Sequence, residues 1–151
     1  MMHDPSATTT TRTLDDNIVR LEDDLVFVEL HGRMSVAAAE ALAEIYEATI
    51  KRRGYILILI DIDDSVLRAA DPKARRILVD WNKQYSRALA AAAFGGGAAV
   101  RVMLTLMNNA VRVLSGHAQP FQIFKTEAQA RTFLAAQRAR LRRDRKSTRL
   151  N

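Results

Sequence analysis

The stretch Tyr55–Ile60, YILILI, is apolar at every position, with no alternation between apolar and polar residues. A strand with one wet face alternates, because every second side chain meets water; an unbroken apolar run needs cover on both faces. The run therefore demands a central strand of a largely parallel sheet, and with it an α/β architecture.

The rest of the chain arranges itself around that strand. Ile18–Glu22 and Leu25–His31 are short β-type runs separated by Asp23-Asp24, which reads as a hairpin. Ser35 offers an N-cap for a helix through Arg53, with Val36, Ala39, Leu42, Ile45, Tyr46 and Ile50 on one face and Gly54 as the stop. Asp71-Pro72 opens a second helix, an N-cap acid followed by proline at the first helical position, with a stripe of Ile77, Leu78, Trp81, Tyr85, Ala88 and Leu89. Within Leu89–Gly97 the spacing predicts the end of that helix, a short strand into Phe94 and a glycine turn. A further helix covers about Ala98 to Ser115, Phe121–Phe124 is the last strand, and Thr126 with Gln129 form a capping box for a final helix through about Arg142. The expected order is ββαβαβαβα, an N-terminal β-hairpin followed by repeated βα units in a mostly parallel sheet.

At 151 residues the chain is long enough for one domain with a real core, placed here at residues 14–143. Residues 1–13, polar and threonine-rich, read as a flexible lead-in. The last eight, DRKSTRLN (144–151), look like the translation of a common short-read sequencing adapter and are set apart from the fold. They carry Arg145, Lys146 and Arg149 against Asp144, so without them the formal charge falls from +6 to +4. The remaining dense run, Arg138, Arg140, Arg142 and Arg143, reads as a solvated helix end; no aromatic interleaves it to stack on bases, so no nucleic-acid partner is expected. The absence of cysteine excludes disulfides and thiolate zinc sites. With no apolar run of membrane length and no leader at Met1, no membrane span is expected and the cytoplasm is the default address.

The most chemically suggestive place is the end of the central strand. Asp61, Asp63, Asp64 and Asp71 are rich enough in oxygen to invite a Mg²⁺ ion. A phosphoacceptor aspartate would also want a lysine on a later strand, and only Lys125 offers itself. The strand-end acids are expected to face solvent, with Asp71 capping the helix. Asp61, Asp63, Asp64, Ser65 and Asp71 then form a binding loop with no metal and no catalytic residue. His3, His31 and His117 lack metal-ligand spacing, and His31 with Ser35 or Ser65 lacks an orienting acid. Gly95-Gly96-Gly97 lacks the Lys-Ser/Thr of a phosphate-binding loop. No cofactor is implied.

The helix from Ala98 to Ser115 carries more apolar surface than one sheet contact needs. Its polar residues Arg101, Thr105, Asn108, Arg112 and Ser115 fall on one narrow line. Beside them run two apolar rows: Ala99, Met103, Leu106, Ala110 and Val113, then Val100, Leu104, Met107, Val111 and Leu114. One row covers the sheet; the second, with Val100, Leu104, Met107 and Val111, must meet a neighbouring helix, a protein partner or an apolar ligand.

Three stretches in order, VELHGRMSVAAAEALAEI (Val28–Ile45), LILIDI (Leu57–Ile62) and FQIFKTEAQARTFL (Phe121–Leu134), resemble the STAS domain family. The likeness is to its anti-sigma-factor-antagonist or SpoIIAA-like branch, often described jointly with SEC14-like lipid-binding proteins, and it spans about Ile18 to Leu141. The resemblance implies a single SpoIIAA-like (STAS-like) α/β domain acting as a non-catalytic regulatory module that binds a protein partner or forms a homodimer. The alternative that it implies is a SEC14-like carrier or sensor of a lipid or similar apolar small molecule. Regulatory members carry a phosphorylatable serine at the start of the second helix; here that place reads ADPK, Ala70–Lys73, so the phosphoswitch is expected to be missing.

Overall fold

The computed structural model describes residues 9–62, 71–98, 101–102, 105–106 and 121–150. Six strands form one sheet: β1 (Thr10–Leu14), β2 (Asn17–Glu22), β3 (Leu25–Leu30), β4 (Ile56–Ile62), β5 (Leu89–Gly95) and β6 (Phe121–Phe124). They lie in chain order; β1, β2 and β3 pair antiparallel, and β3 to β6 pair parallel. Helix α1 (Val36–Arg53) links β3 to β4, α2 (Pro72–Gln84) and a 3₁₀ turn (Ser86–Ala88) precede β5, and α3 (Glu127–Leu150) follows β6.

The unalternated central run is explained by two separate cores. Ile56 and Ile58 of β4 join Val26 and Val28 of β3 against Leu42, Ile45 and Tyr46 of α1 and Trp81 of α2. Their neighbours Leu57 and Leu59 point the other way, joining Leu25, Phe27, Ala90, Ala92 and Phe94 against Ala130, Leu134 and Leu141 of α3. Each fully buried leucine or isoleucine contributes about 1.5–3 kcal/mol relative to exposure, so polarity cannot alternate along β4 without a large loss on one side.

The helix boundaries follow local chemistry. Ser35 accepts a hydrogen bond from the backbone N–H of Ala38 at 3.1 Å, and α1 ends at Gly54, whose φ of 84° is costly for any residue with a Cβ. Asp71 caps α2 by accepting from the Lys73 N–H at 2.8 Å, with Pro72 behind it. Asp71→Ala is expected to cost about 1 kcal/mol in urea denaturation, and an unchanged midpoint would show that the cap contributes nothing. Thr126 caps α3 through the Gln129 N–H at 3.2 Å.

Two segments depart from the sequence expectation. Thr10–Leu14 is not lead-in but the edge strand β1. It is joined to β2 by a two-residue turn, Asp15-Asp16, built like the Asp23-Asp24 turn of the next hairpin: Asp15 has φ 55° and Asp23 φ 61°. Leu89–Gly95, LAAAAFG, is strand from its first residue, although alanine is the best helix former. Between β4 and β6 and under two helix layers, small side chains let both layers approach, and that packing overrides propensity. Helix α3 also runs on to Leu150, through the adapter-like octad, and Arg145 donates to the carbonyl of Arg53.

Candidate functional site

Leu30 pairs with Ile62, and Ile62 with Gly95, so β3, β4 and β5 end level at one edge of the sheet. The carboxyl ends of parallel strands are the usual place for a site on such a sheet. Gly95 is required by its position: its φ is 85°, and a Cβ there would stand 2.9 Å from the Ile62 carbonyl oxygen. Asp61, half-buried in β4, approaches the same glycine through its carboxylate.

The loop after β3 is held by the first hairpin. Asn17 is fully buried, and its side-chain oxygen accepts from the N–H groups of His31 at 2.9 Å and Gly32 at 3.2 Å. Its amide nitrogen donates to the carbonyls of Leu14 at 3.2 Å and Arg33 at 3.1 Å, so the amide's capacity is used in full. Asp15 accepts from the Ser35 N–H at 2.7 Å, and that hydrogen bond holds its carboxyl below the ordinary aspartate value. Glu29 bridges Arg20 at 2.9 Å and approaches His31 Nε2 at 3.2 Å. These contacts fix a loop scaffold.

Of the expected binding-loop residues, Asp61 is the last but one residue of β4 and Asp71 caps α2, while Asp63, Asp64 and Ser65 lie outside the described residues. Among the described residues no three acids or histidines gather to hold a metal. Val100, Leu104, Met107 and Val111, the expected interface row, also lie outside them. What is described of that helix is Ala98, Arg101, Val102, Thr105 and Leu106. Arg101 donates its backbone N–H to the Gly97 carbonyl at 3.1 Å, and Thr105 turns its hydroxyl back onto the Arg101 carbonyl at 2.8 Å. Val102 is 60 % and Leu106 63 % exposed; among the described residues they are the exposed large hydrophobic side chains. With Ala98, Arg101 and Thr105 they line a shallow, open hollow. Sequence reasoning placed Leu106 in an apolar row but left Val102 in none; the i, i+4 spacing of the two was the available signal.

The opposite edge of the sheet holds a second cluster that sequence reasoning missed. Asp24, nearly fully buried, accepts from Tyr55 Oη at 2.6 Å and from Arg138 through two nitrogens at 2.7 and 2.9 Å. Arg142 donates to the Tyr55 hydroxyl at 3.0 Å. The arginine run of α3 is thus not simply a solvated helix end, because Arg138 and Arg142 bolt the helix to the hairpin turn and to the start of β4. Burial pushes the Tyr55 hydroxyl up, and the Asp24 carboxylate that it serves adds to the rise. Arg131 plays a similar part further along, pairing with Glu22 at 3.2 Å and Glu127 at 2.9 Å.

No protein-family profile matches the sequence, and no curated protein matches it either.

Proposed function

We propose that this chain is a non-catalytic, STAS-like protein-interaction module that docks its partner through the helix following β5. The observation that carries the reading is the pair Val102 and Leu106, left in water beside the edge where the parallel strands end. The hairpin feeding sequentially ordered parallel strands supports the STAS-like assignment. At the start of α2 the Asp71 carboxylate already accepts from the Lys73 N–H, and Asp71-Pro72 stands where the family's regulatory serine is expected. A phosphate there would compete with the cap and meet its charge, which supports a module without a phosphoswitch. Among the described residues no helix is long and apolar enough to cross a membrane.

Native mass spectrometry of the gently purified protein, with and without the double change Val102→Asp and Leu106→Asp, tests the reading. Both positions are exposed, so stability should move by no more than about 0.5 kcal/mol. A protein partner retained by wild type should be lost from the double variant. A co-purifying small apolar molecule, lost in the same way, would favour the lipid-carrier alternative, and wild type alone in the spectrum would defeat both.

A further inference from the structure

We infer that β1 is a self-pairing edge, through which two copies of this chain join their sheets into one continuous sheet. The hydrogen-bond valence of the strand is half used by β2. In a two-residue hairpin the pair flanking the turn is hydrogen-bonded, so Leu14 bonds Asn17 and the bonded pairs recur at Arg12 with Val19 and Thr10 with Leu21. The backbone N–H and C=O groups of Thr11 and Thr13 therefore point to the other side of β1, away from β2. Edges of this kind are normally blunted by proline, lysine, a bulge or an inward charge. Thr10–Leu14 contains no proline and no lysine and its register with β2 is unbroken; its one charge, Arg12, stands on the side of Leu14 but is exposed, like the other residues before Leu14. Three of the strand's five residues are threonine, which suits extended structure.

The side chains select the occupant and the register. Leu14 is buried with Val19 and Val26 on the side of α1 and α2, so Arg12 and Thr10 share that side while Thr11 and Thr13 stand on the other. A second copy placed antiparallel about a two-fold axis at Thr11 sets Thr11 against Thr11 of the second copy, and Thr9 against Thr13. Its outward backbone groups meet in bonded pairs, and cross-strand threonines are a favourable match. Arg12 then faces Thr10 of the second copy. An axis at Arg12 would oppose two guanidinium groups, and an axis at Thr13 would run the pairing into Asp15, which is in a turn and already holds Ser35. Self-complementarity about Thr11 is what points to a second copy of this chain rather than to an unrelated strand.

The full chain is examined by sedimentation equilibrium over micromolar to millimolar concentration, together with three variants at the axis. Wild type is expected to dimerise. Thr11→Pro removes an N–H that the pairing with β2 does not use and should abolish the dimer. Thr11→Glu keeps every backbone bond, sets two carboxylates face to face, and should weaken association at least about tenfold. Mixing Thr11→Glu with Thr11→Lys should restore a dimer that neither forms well alone, a result only the Thr11 axis gives. A wild type that stays monomeric, a dimer untouched by Thr11→Pro and Thr11→Glu, or a mixture that does not recover would each overturn the proposal. Changing Val102 and Leu106 should leave this dimer intact, so its outcome is separate from that of the partner-docking surface.

Discussion

Replacing Asn17 with alanine should destabilise the protein by about 3 kcal/mol, because it strips the bonds from the loop after β3 while leaving a void where the amide sat. The N–H groups of His31 and Gly32 and the carbonyls of Leu14 and Arg33 all lose their partner at once. Water can reach only part of this shell, since Asn17 itself is 0 % exposed. Asn17→Asp is the sharper comparison: it preserves volume, but it loses the donors that serve Leu14 and Arg33 and turns a carboxylate toward their oxygens. Both variants should shift the urea midpoint strongly at neutral pH. A loss below about 1 kcal/mol for the alanine variant would show that the loop re-forms its bonds with solvent.

A loss of similar size is expected on removing Asp24. Asp24→Ala leaves Arg138 without its carboxylate and Tyr55 without its acceptor; breaking such a pair costs about 3 kcal/mol, at the low end of the range because Arg138 is partly wet. The same residue makes stability depend on pH. Burial works to raise the Asp24 pKa, but the hydrogen bonds from Arg138 and Tyr55, with the charges of Arg138 and Arg142, outweigh it and hold the group below the ordinary 3.8. A depressed carboxylate stabilises the fold fully above its unfolded value, and the contribution is lost as pH falls through the lower folded value. The advantage of wild type over Asp24→Asn should therefore be constant near neutrality and shrink on acidification below about 4. An advantage that grows in acid would mean that the carboxylate is not held by these bonds.

These two residues lie in the part of the molecule that was least legible beforehand. Thr10–Leu14 shows no apolar pattern because every residue before Leu14 is exposed, so periodicity had nothing to register. The signal that was present was the second Asp-Asp pair, Asp15-Asp16, matching the pair already read as a hairpin turn. Asn17 looks like an ordinary turn residue until the loop after β3 folds over it. The four consecutive alanines of β5 speak for helix, and only their place between β4 and β6 makes them strand.

What the sequence determined by itself was whatever depends on neighbours within a few positions. Ser35, Gly54, Asp71-Pro72 and Thr126 set helix ends through bonds or backbone angles within their own turn. The unalternated run of β4 required cover on both faces, whatever supplied it. Tertiary structure alone decided the pairings across long separations, Asn17 under His31 and Gly32 and Asp24 with Arg138, and the place of β1 at the edge of the described sheet. A buried polar group is tolerated only where its partners arrive in the right geometry, and those partners lie 14 residues away for His31 and 114 for Arg138. No local pattern encodes such a meeting, because it exists only once the chain has closed the loops that bring the two ends together.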